Sequence, residues 1–170
     1  VAGQSRDLTL SDKAKWQPGK TAAQALLIEA GAAAEITEAG DYEKDQPFTV
    51  AVWVRLAPND SSGSILARMD DTNGYRGWDL WVEGRRVGMH LVHSWPDNAL
   101  KVVTKAQVPG NEWVHVVATY DGSASPTGVK LYVNGKLEAT NVPTNSLKGS
   151  LKTQVPLKLG QRHTGSPLAG

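Results

Sequence analysis

Apolar and polar residues alternate with a period of two along much of this chain, and the alternation is broken at short intervals by Gly, Pro, Asn and Asp. From Phe48 to Leu56 the pattern is strict. Phe48, Val50, Val52, Val54 and Leu56 share one face, while Thr49, Ala51, Trp53 and Arg55 share the other. Ser64–Met69 predicts a short strand between the turn-forming runs Asn59–Gly63 and Asp70–Gly74. Glu112–Tyr120 predicts another, ending at Asp121-Gly122. Val129–Val133 and Lys136–Thr140 flank Asn134-Gly135, a strong hairpin signal, and Pro156–Gly160 supplies a last short strand. The Ala-rich stretch from Thr21 to Gly40 is interrupted by Gly31 and Gly40, and it predicts two short strands, one at Gln24–Glu29. Many short, evenly spaced strands predict a sandwich or barrel. Residues 1–21 read as an N-terminal extension or first strand, and residues 22–170 as one domain.

The segment Trp78–Leu91 allows a register to be derived. With Gly84-Arg85 as a two-residue type II′ turn, Val82 faces Val87, Leu80 faces Met89 and Trp78 faces Leu91. These apolar pairs mark the core face. On the other face Glu83 meets Arg86, Trp81 meets Gly88 and Asp79 meets His90, and each pair is chemically matched. That second face reads either as a solvated surface or as a shallow platform, with Trp81 stacking on a ligand and Asp79 and His90 hydrogen-bonding to it.

Composition narrows the function. Eighteen Lys and Arg against 17 Asp and Glu leave a formal charge of +1, which gathers neither nucleic acid nor anionic membrane. No apolar run approaches the roughly 20 residues of a membrane helix. With no cysteine, disulfides and thiolate metal sites are excluded. The sequence starts at Val1 with neither initiator Met nor leader, so a processed chain or a piece of a longer one is expected. Six Trp against a single Phe is a bias toward the side chain that both fills cores and stacks on ligands.

The richest segment for binding is His93–Asn98. Trp95 precedes Pro96, which favours an extended backbone, and Pro96-Asp97-Asn98 reads as a turn. Sugar recognition needs a flat aromatic face for the C–H side of a pyranose, with polar groups around it to fix the hydroxyls. Trp95, His93, Asp97 and Asn98 offer that chemistry, and Arg76, opposite His93, brings Tyr75 and itself to the same end. The alternative is a loop whose Trp plugs the core. Asp70, Asp71 and Asn73 carry hard oxygens that suit Ca²⁺, in a stretch that reads equally as a plain turn without the spacing of an EF-hand. No cofactor is expected beyond that Ca²⁺. Signatures of hydrolases and phosphate-binding loops are missing. Asp79 with His90, and Glu112 with His115, are the only candidate acid–base pairs, and His115 reads as a structural, hydrogen-bonded histidine.

The blocks Phe48–Val54, Glu112–Gly122 and Val129–Gly135 resemble, in order and spacing, the laminin-G-like, concanavalin A-like jelly rolls. The resemblance covers residues 22–170 and implies an all-β, two-sheet antiparallel jelly-roll sandwich, a fold that hosts lectins, adhesion modules and glycosidases. Arg68–Asp71, Gly74–Leu80 and His90–Val102 further resemble the internal laminin-G-like domain of planctomycete cytochrome-c-type multidomain proteins. That likeness implies an exported, extracytoplasmic parent chain, neighbouring domains as partners and a polysaccharide as the first candidate ligand. Members of the fold end in an acidic strand that would begin near Ser166. The domain is therefore expected to lack its last strand or to replace it with residues from 1–21, which weakens the case for a family Ca²⁺ site. Three readings follow: a non-catalytic, lectin-like carbohydrate-binding module; a scaffold domain docking onto proteins or its own neighbours; and a glycan-active enzyme.

Overall fold

The computed structural model describes residues 6–29, 32–58, 62–163 and 168. The strands, in chain order, are β1 (Thr9–Leu10), β2 (Lys15–Pro18), β3 (Gln24–Leu27), β4 (Ala34–Ile36), β5 (Phe48–Arg55), β6 (Gly63–Asp70), β7 (Arg76–Glu83), β8 (Arg86–Ser94), β9 (Asn98–Thr104), β10 (Trp113–Tyr120), β11 (Val129–Val133), β12 (Lys136–Leu137), β13 (Thr140–Asn145) and β14 (Leu157–Leu159). Eight of them form one sheet in the order β1-β4-β14-β6-β7-β8-β9-β13, and four form a second in the order β12-β11-β10-β5. Every pairing is antiparallel, and β2–β3 make a separate ribbon. This is the expected two-sheet sandwich. Among the described residues the only helical turn is Pro126–Gly128, and no helix is long and apolar enough to cross a membrane.

Alternation explains the packing. Phe48 and Leu56, with Val50, Val52 and Val54 beside them, face Trp78, Leu80, Val82, Met89 and Leu91 across the sandwich. Each such side chain, once buried, contributes about 1.5–3 kcal/mol of transfer free energy. Tyr42, Phe48, Trp78 and Tyr120 form an aromatic cluster at one end, with Tyr42 stacked on Phe48 at 4.2 Å. Trp78 resolves its buried N–H by donating to Gly40 O at 2.7 Å. Strands β6 and β7 come close at Gly77, where φ is +129° and a Cβ would lie 1.9 Å from Arg68 O, so no other residue fits there.

The hairpin register of Trp78–Leu91 is the expected one at all six pairs. Its turn differs: Gly84 and Arg85 both have positive φ, 54° and 57°, which makes it type I′ rather than II′. Both turns close two-residue loops with the same register, so the pairing is unaffected. A second difference lies at Lys136–Thr140. The run breaks after Leu137 and resumes at Thr140 in the other sheet. There β13 is an edge strand, which tolerates Pro143 and a register shift. Residues 1–5, residues 30–31 with the expected break at Gly31, residues 59–61 of the expected turn Asn59–Gly63, and residues 164–167 and 169–170, which include the expected start of the last strand at Ser166, lie outside the described residues. Within residues 6–21, β1 extends one edge of the large sheet through β4, and β2 pairs with β3.

Candidate functional site

The face of the eight-stranded sheet that points away from the core carries a depression of about 410 Å³, lined by Met69, Tyr75, Trp81, Glu83, His90, Val92, Trp95, Lys101, Arg162 and Ser62. Register accounts for its floor. On β7, Trp81 and Asp79 alternate with the core residues Leu80 and Val82. Asp79 lies opposite His90 on β8, and His90 lies opposite Lys101 on β9. Gly88, opposite Trp81, adds no side chain to crowd the indole.

Beneath the depression is a buried charge. Asp79 is 0% exposed, and its carboxylate accepts hydrogen bonds from His90 Nδ1 at 2.6 Å and from both Nε and Nη2 of Arg162, the former at 3.0 Å. Ser64 Oγ adds a longer contact at 3.4 Å. Burial pushes the Asp79 pKa up, but His90 and then Arg162 outweigh it and hold the carboxyl below its ordinary value. An ionised carboxylate only accepts, so His90 Nδ1 carries a proton, and Nε2 is the ring nitrogen left to a ligand. Arg162 follows β14 and lies across the pocket, with its guanidinium carbon 4.3 Å from the centre of the Trp81 ring and 5.3 Å from that of Tyr75.

The rim is aromatic and polar. Trp95 is 38% and Tyr75 36% exposed, and the two loops that carry them are joined by Trp95 N donating to Gly74 O at 2.8 Å. Trp81 and Trp95 both stand edge-on to His90, at 6.2 and 5.6 Å. Lys101 Nζ lies 2.8 Å from Glu83 Oε2 and 6.0 Å from the Trp95 ring centre. That hydrogen bond and the lysine's charge hold Glu83 below the usual carboxylate range. The Glu83–Arg86 ion pair expected from register is absent. The two residues are paired through the backbone, but Glu83 turns to Lys101 and Arg86 Nε donates to Lys105 O at 3.2 Å.

The structure thus gathers Tyr75, Trp81, His90 and Trp95 around one hollow. Asp79 lies under them, buried rather than on a solvated face, where its carboxylate holds His90 and Arg162. The rest of the loop is differently employed. His93 Nδ1 donates to Ser150 O at 2.9 Å and its Nε2 faces Arg76, which also donates through Nε to His93 O at 3.3 Å. Asn98 Oδ1 accepts from the backbone N–H groups of Lys148 at 2.7 Å and Gly149 at 3.0 Å. These three residues anchor the loop and do not line the hollow, and Asp97 is exposed beside it. Arg162 and Lys101 are the groups that sequence reasoning missed. Lys101 is reachable by extending the register to β9, whereas Arg162 carries no local signal.

Asp70 Oδ1 is engaged within its own turn, accepting from Thr72 N at 3.1 Å and Thr72 Oγ1 at 2.8 Å. Among the described residues no three His, Asp or Glu side chains gather as metal ligands. His115 packs its ring on Trp53 at 5.1 Å on the outer face of the small sheet, and Glu112 lies in the bend before β10.

The sequence profile of the concanavalin A-like lectin/glucanases superfamily matches residues 29–170. No curated protein matches the sequence. Among solved structures, the chain is similar to the ligand-binding domain of botulinum neurotoxin serotype D solved with N-acetylneuraminic acid, at 14% identity and a TM-score of 0.68 over 98% of this chain and 41% of that one. It is also similar to domain 4 of an extracellular arabinanase from Geobacillus stearothermophilus solved with arabinotriose, at 14% identity and a TM-score of 0.55 over 96% of this chain and 77% of that one. A botulinum neurotoxin DC binding domain solved with rat synaptotagmin II gives a TM-score of 0.58 at 13% identity, over 92% of this chain and 39% of the other. The chain spans about two fifths of the toxin domains it resembles.

Proposed function

The chain belongs to the concanavalin A-like lectin/glucanases superfamily, and from the hollow on its eight-stranded sheet we propose that it is a carbohydrate-binding module without catalytic activity. One observation carries the reading: two tryptophans and a tyrosine rim a depression whose floor presents His90, Arg162 and Lys101, held in place by Asp79 and Glu83. Flat apolar rings accept the C–H face of a sugar ring, and oriented donors and acceptors fix its hydroxyls. Two of the solved neighbours hold saccharides, N-acetylneuraminic acid and arabinotriose, which supports a glycan as the ligand class.

Hydrolysis of a glycosidic bond by the usual route needs two carboxyl groups flanking it. Among the described residues lining the hollow, Glu83 is the one carboxylate at the surface, and Asp79 is sealed beneath two cationic or imidazole partners. A glycan that binds is therefore expected to be returned unchanged. The parent context we propose is a longer exported chain in which this module holds neighbouring domains against a polysaccharide.

Binding of the purified chain to a panel of polysaccharides and oligosaccharides tests the reading, run in parallel with Ca²⁺ and with chelator. Saturable binding, unchanged by chelator, is expected, because the Asp70 turn satisfies its carboxylate internally. Dependence on Ca²⁺ would return Asp70, Asp71 and Asn73 to the site. A folded chain that binds no glycan and captures its flanking domains instead would replace the reading with that of a scaffold.

A further inference from the structure

The charges of the hollow are matched before any ligand arrives. Among the described residues its titratable lining consists of Tyr75, Glu83, His90, Lys101 and Arg162, with Asp79 below. Arg162 commits Nε and Nη2 to a single oxygen of Asp79, so its side-on edge, one of those able to grip a carboxylate with two parallel bonds, is turned into the protein and its charge is already answered. Its flat faces are taken as well, lying against Trp81 and near Tyr75. Lys101 is held by Glu83 at 2.8 Å. Two permanent cations are balanced by two carboxylates, both held in the ionised form.

An acidic sugar brings a charge that must be answered when it loses water. Here it would meet cations already paired, and Glu83 at the rim would repel it. An uncharged sugar asks only for hydrogen bonds, which the remaining N–H groups of Arg162 and Lys101, His90 Nε2 and the Glu83 oxygens provide in both directions. We infer that the hollow selects an uncharged sugar unit and discriminates against uronic, sialic and sulfated ones, with Asp79 and Glu83 as the residues that set the selectivity. The inference rests on the carbohydrate-binding reading and goes beyond it by naming the class of sugar.

The test is affinity electrophoresis and calorimetry of the whole chain against neutral glucans, mannans and arabinans, and against polygalacturonate, sialylated glycans and sulfated polysaccharides. The wild type is expected to bind a neutral member with affinity changing by less than about twofold across a roughly tenfold range of salt. Acidic members are expected to bind roughly tenfold or more weakly. Glu83→Gln, a rim substitution that leaves the buried core untouched, frees Lys101 and is expected to tighten polygalacturonate binding about threefold or more at low salt. A wild type that prefers an acidic glycan overturns the selectivity while leaving carbohydrate binding intact. Binding to no glycan by a chain whose circular dichroism shows it folded overturns both. An unchanged preference in Glu83→Gln removes Glu83 from the selectivity.

Discussion

Both sheets of the sandwich place tryptophan beside histidine on their outer faces, with arginine close by, and each borders a hollow, about 410 Å³ on the large sheet and about 240 Å³ beside the small one, but the two are built differently. On the small sheet Trp53 lies against His115, Arg55 sits over Trp113 at 5.5 Å, and Lys20 reaches Trp53 from the turn between β2 and β3. Gln17 of β2 accepts from Arg55 at 2.9 Å, so the ribbon leans on this face. On the large sheet the same ingredients surround a carboxylate with no exposed surface. The aromatic residues therefore do not distinguish the two hollows. The buried Asp79 does, because a buried charge recruits His90 and Arg162 from separate segments and holds their side chains in one geometry.

The largest test of this contrast is Asp79→Ala. It strands Arg162 and His90 over an empty position and is expected to cost about 3–5 kcal/mol in urea unfolding. His115→Ala on the other sheet is expected to cost about 1 kcal/mol. Equal costs would erase the distinction. Ligand affinity comes next: Trp95→Ala is expected to weaken glycan binding at least tenfold, or about 1.4 kcal/mol and more, while Trp53→Ala leaves it within about twofold. A loss from Trp53→Ala and none from Trp95→Ala would move the site to the small sheet.

Acid sharpens the comparison further. The folded-state pKa of Asp79 is held below its unfolded value of about 3.9, so its stabilising contribution is complete above that value and drains away as pH falls toward the lower, folded one. Unfolding curves taken from neutral pH down through this range are expected to be shallower in Asp79→Asn than in the wild type. Glu43, Glu83 and Asp121 are shifted the same way and remain in both proteins, so the difference between the two curves isolates Asp79. Parallel curves would show that the carboxylate is not held by its partners. The smallest effect belongs to Asn98→Ala, which is expected to cost about 1 kcal/mol by releasing the N–H groups of Lys148 and Gly149, with glycan affinity within about twofold. An affinity loss of tenfold would restore Asn98 as a ligand contact.

How much of this was legible follows from the range of each interaction. The strand faces of Phe48–Leu56 and the register of Trp78–Leu91 are local, and period-two alternation with one turn suffices to read them. The pairing of Asp79 with His90 came from the same register. Its burial did not, because that depends on Arg162, which lies 83 positions away along the chain. Asp97 and Asn98 carry sugar-binding chemistry in the sequence, but Asn98 turns to the backbone at 148–149, a contact that spacing cannot forecast. The type I′ turn was misread because Gly84 alone suits II′, and only the positive φ of Arg85 distinguishes the two. The strand β13 was missed because Pro143 argues against a strand anywhere but at an edge.

The reach of Arg162 back to Asp79 also bears on the order of events during synthesis. A chain released from the ribosome only as far as β13 has made both strands of the Trp78–Leu91 hairpin, yet it exposes Asp79 without its guanidinium and Trp81 without its cover. The hollow takes its final form when β14 docks between β4 and β6 and carries Arg162 into place. An unfinished or clipped chain keeps Trp81, His90, Trp95 and Lys101 but lacks the guanidinium that covers Asp79 and completes the hollow. On the carbohydrate-binding reading, it is expected to hold a sugar more weakly than the finished chain.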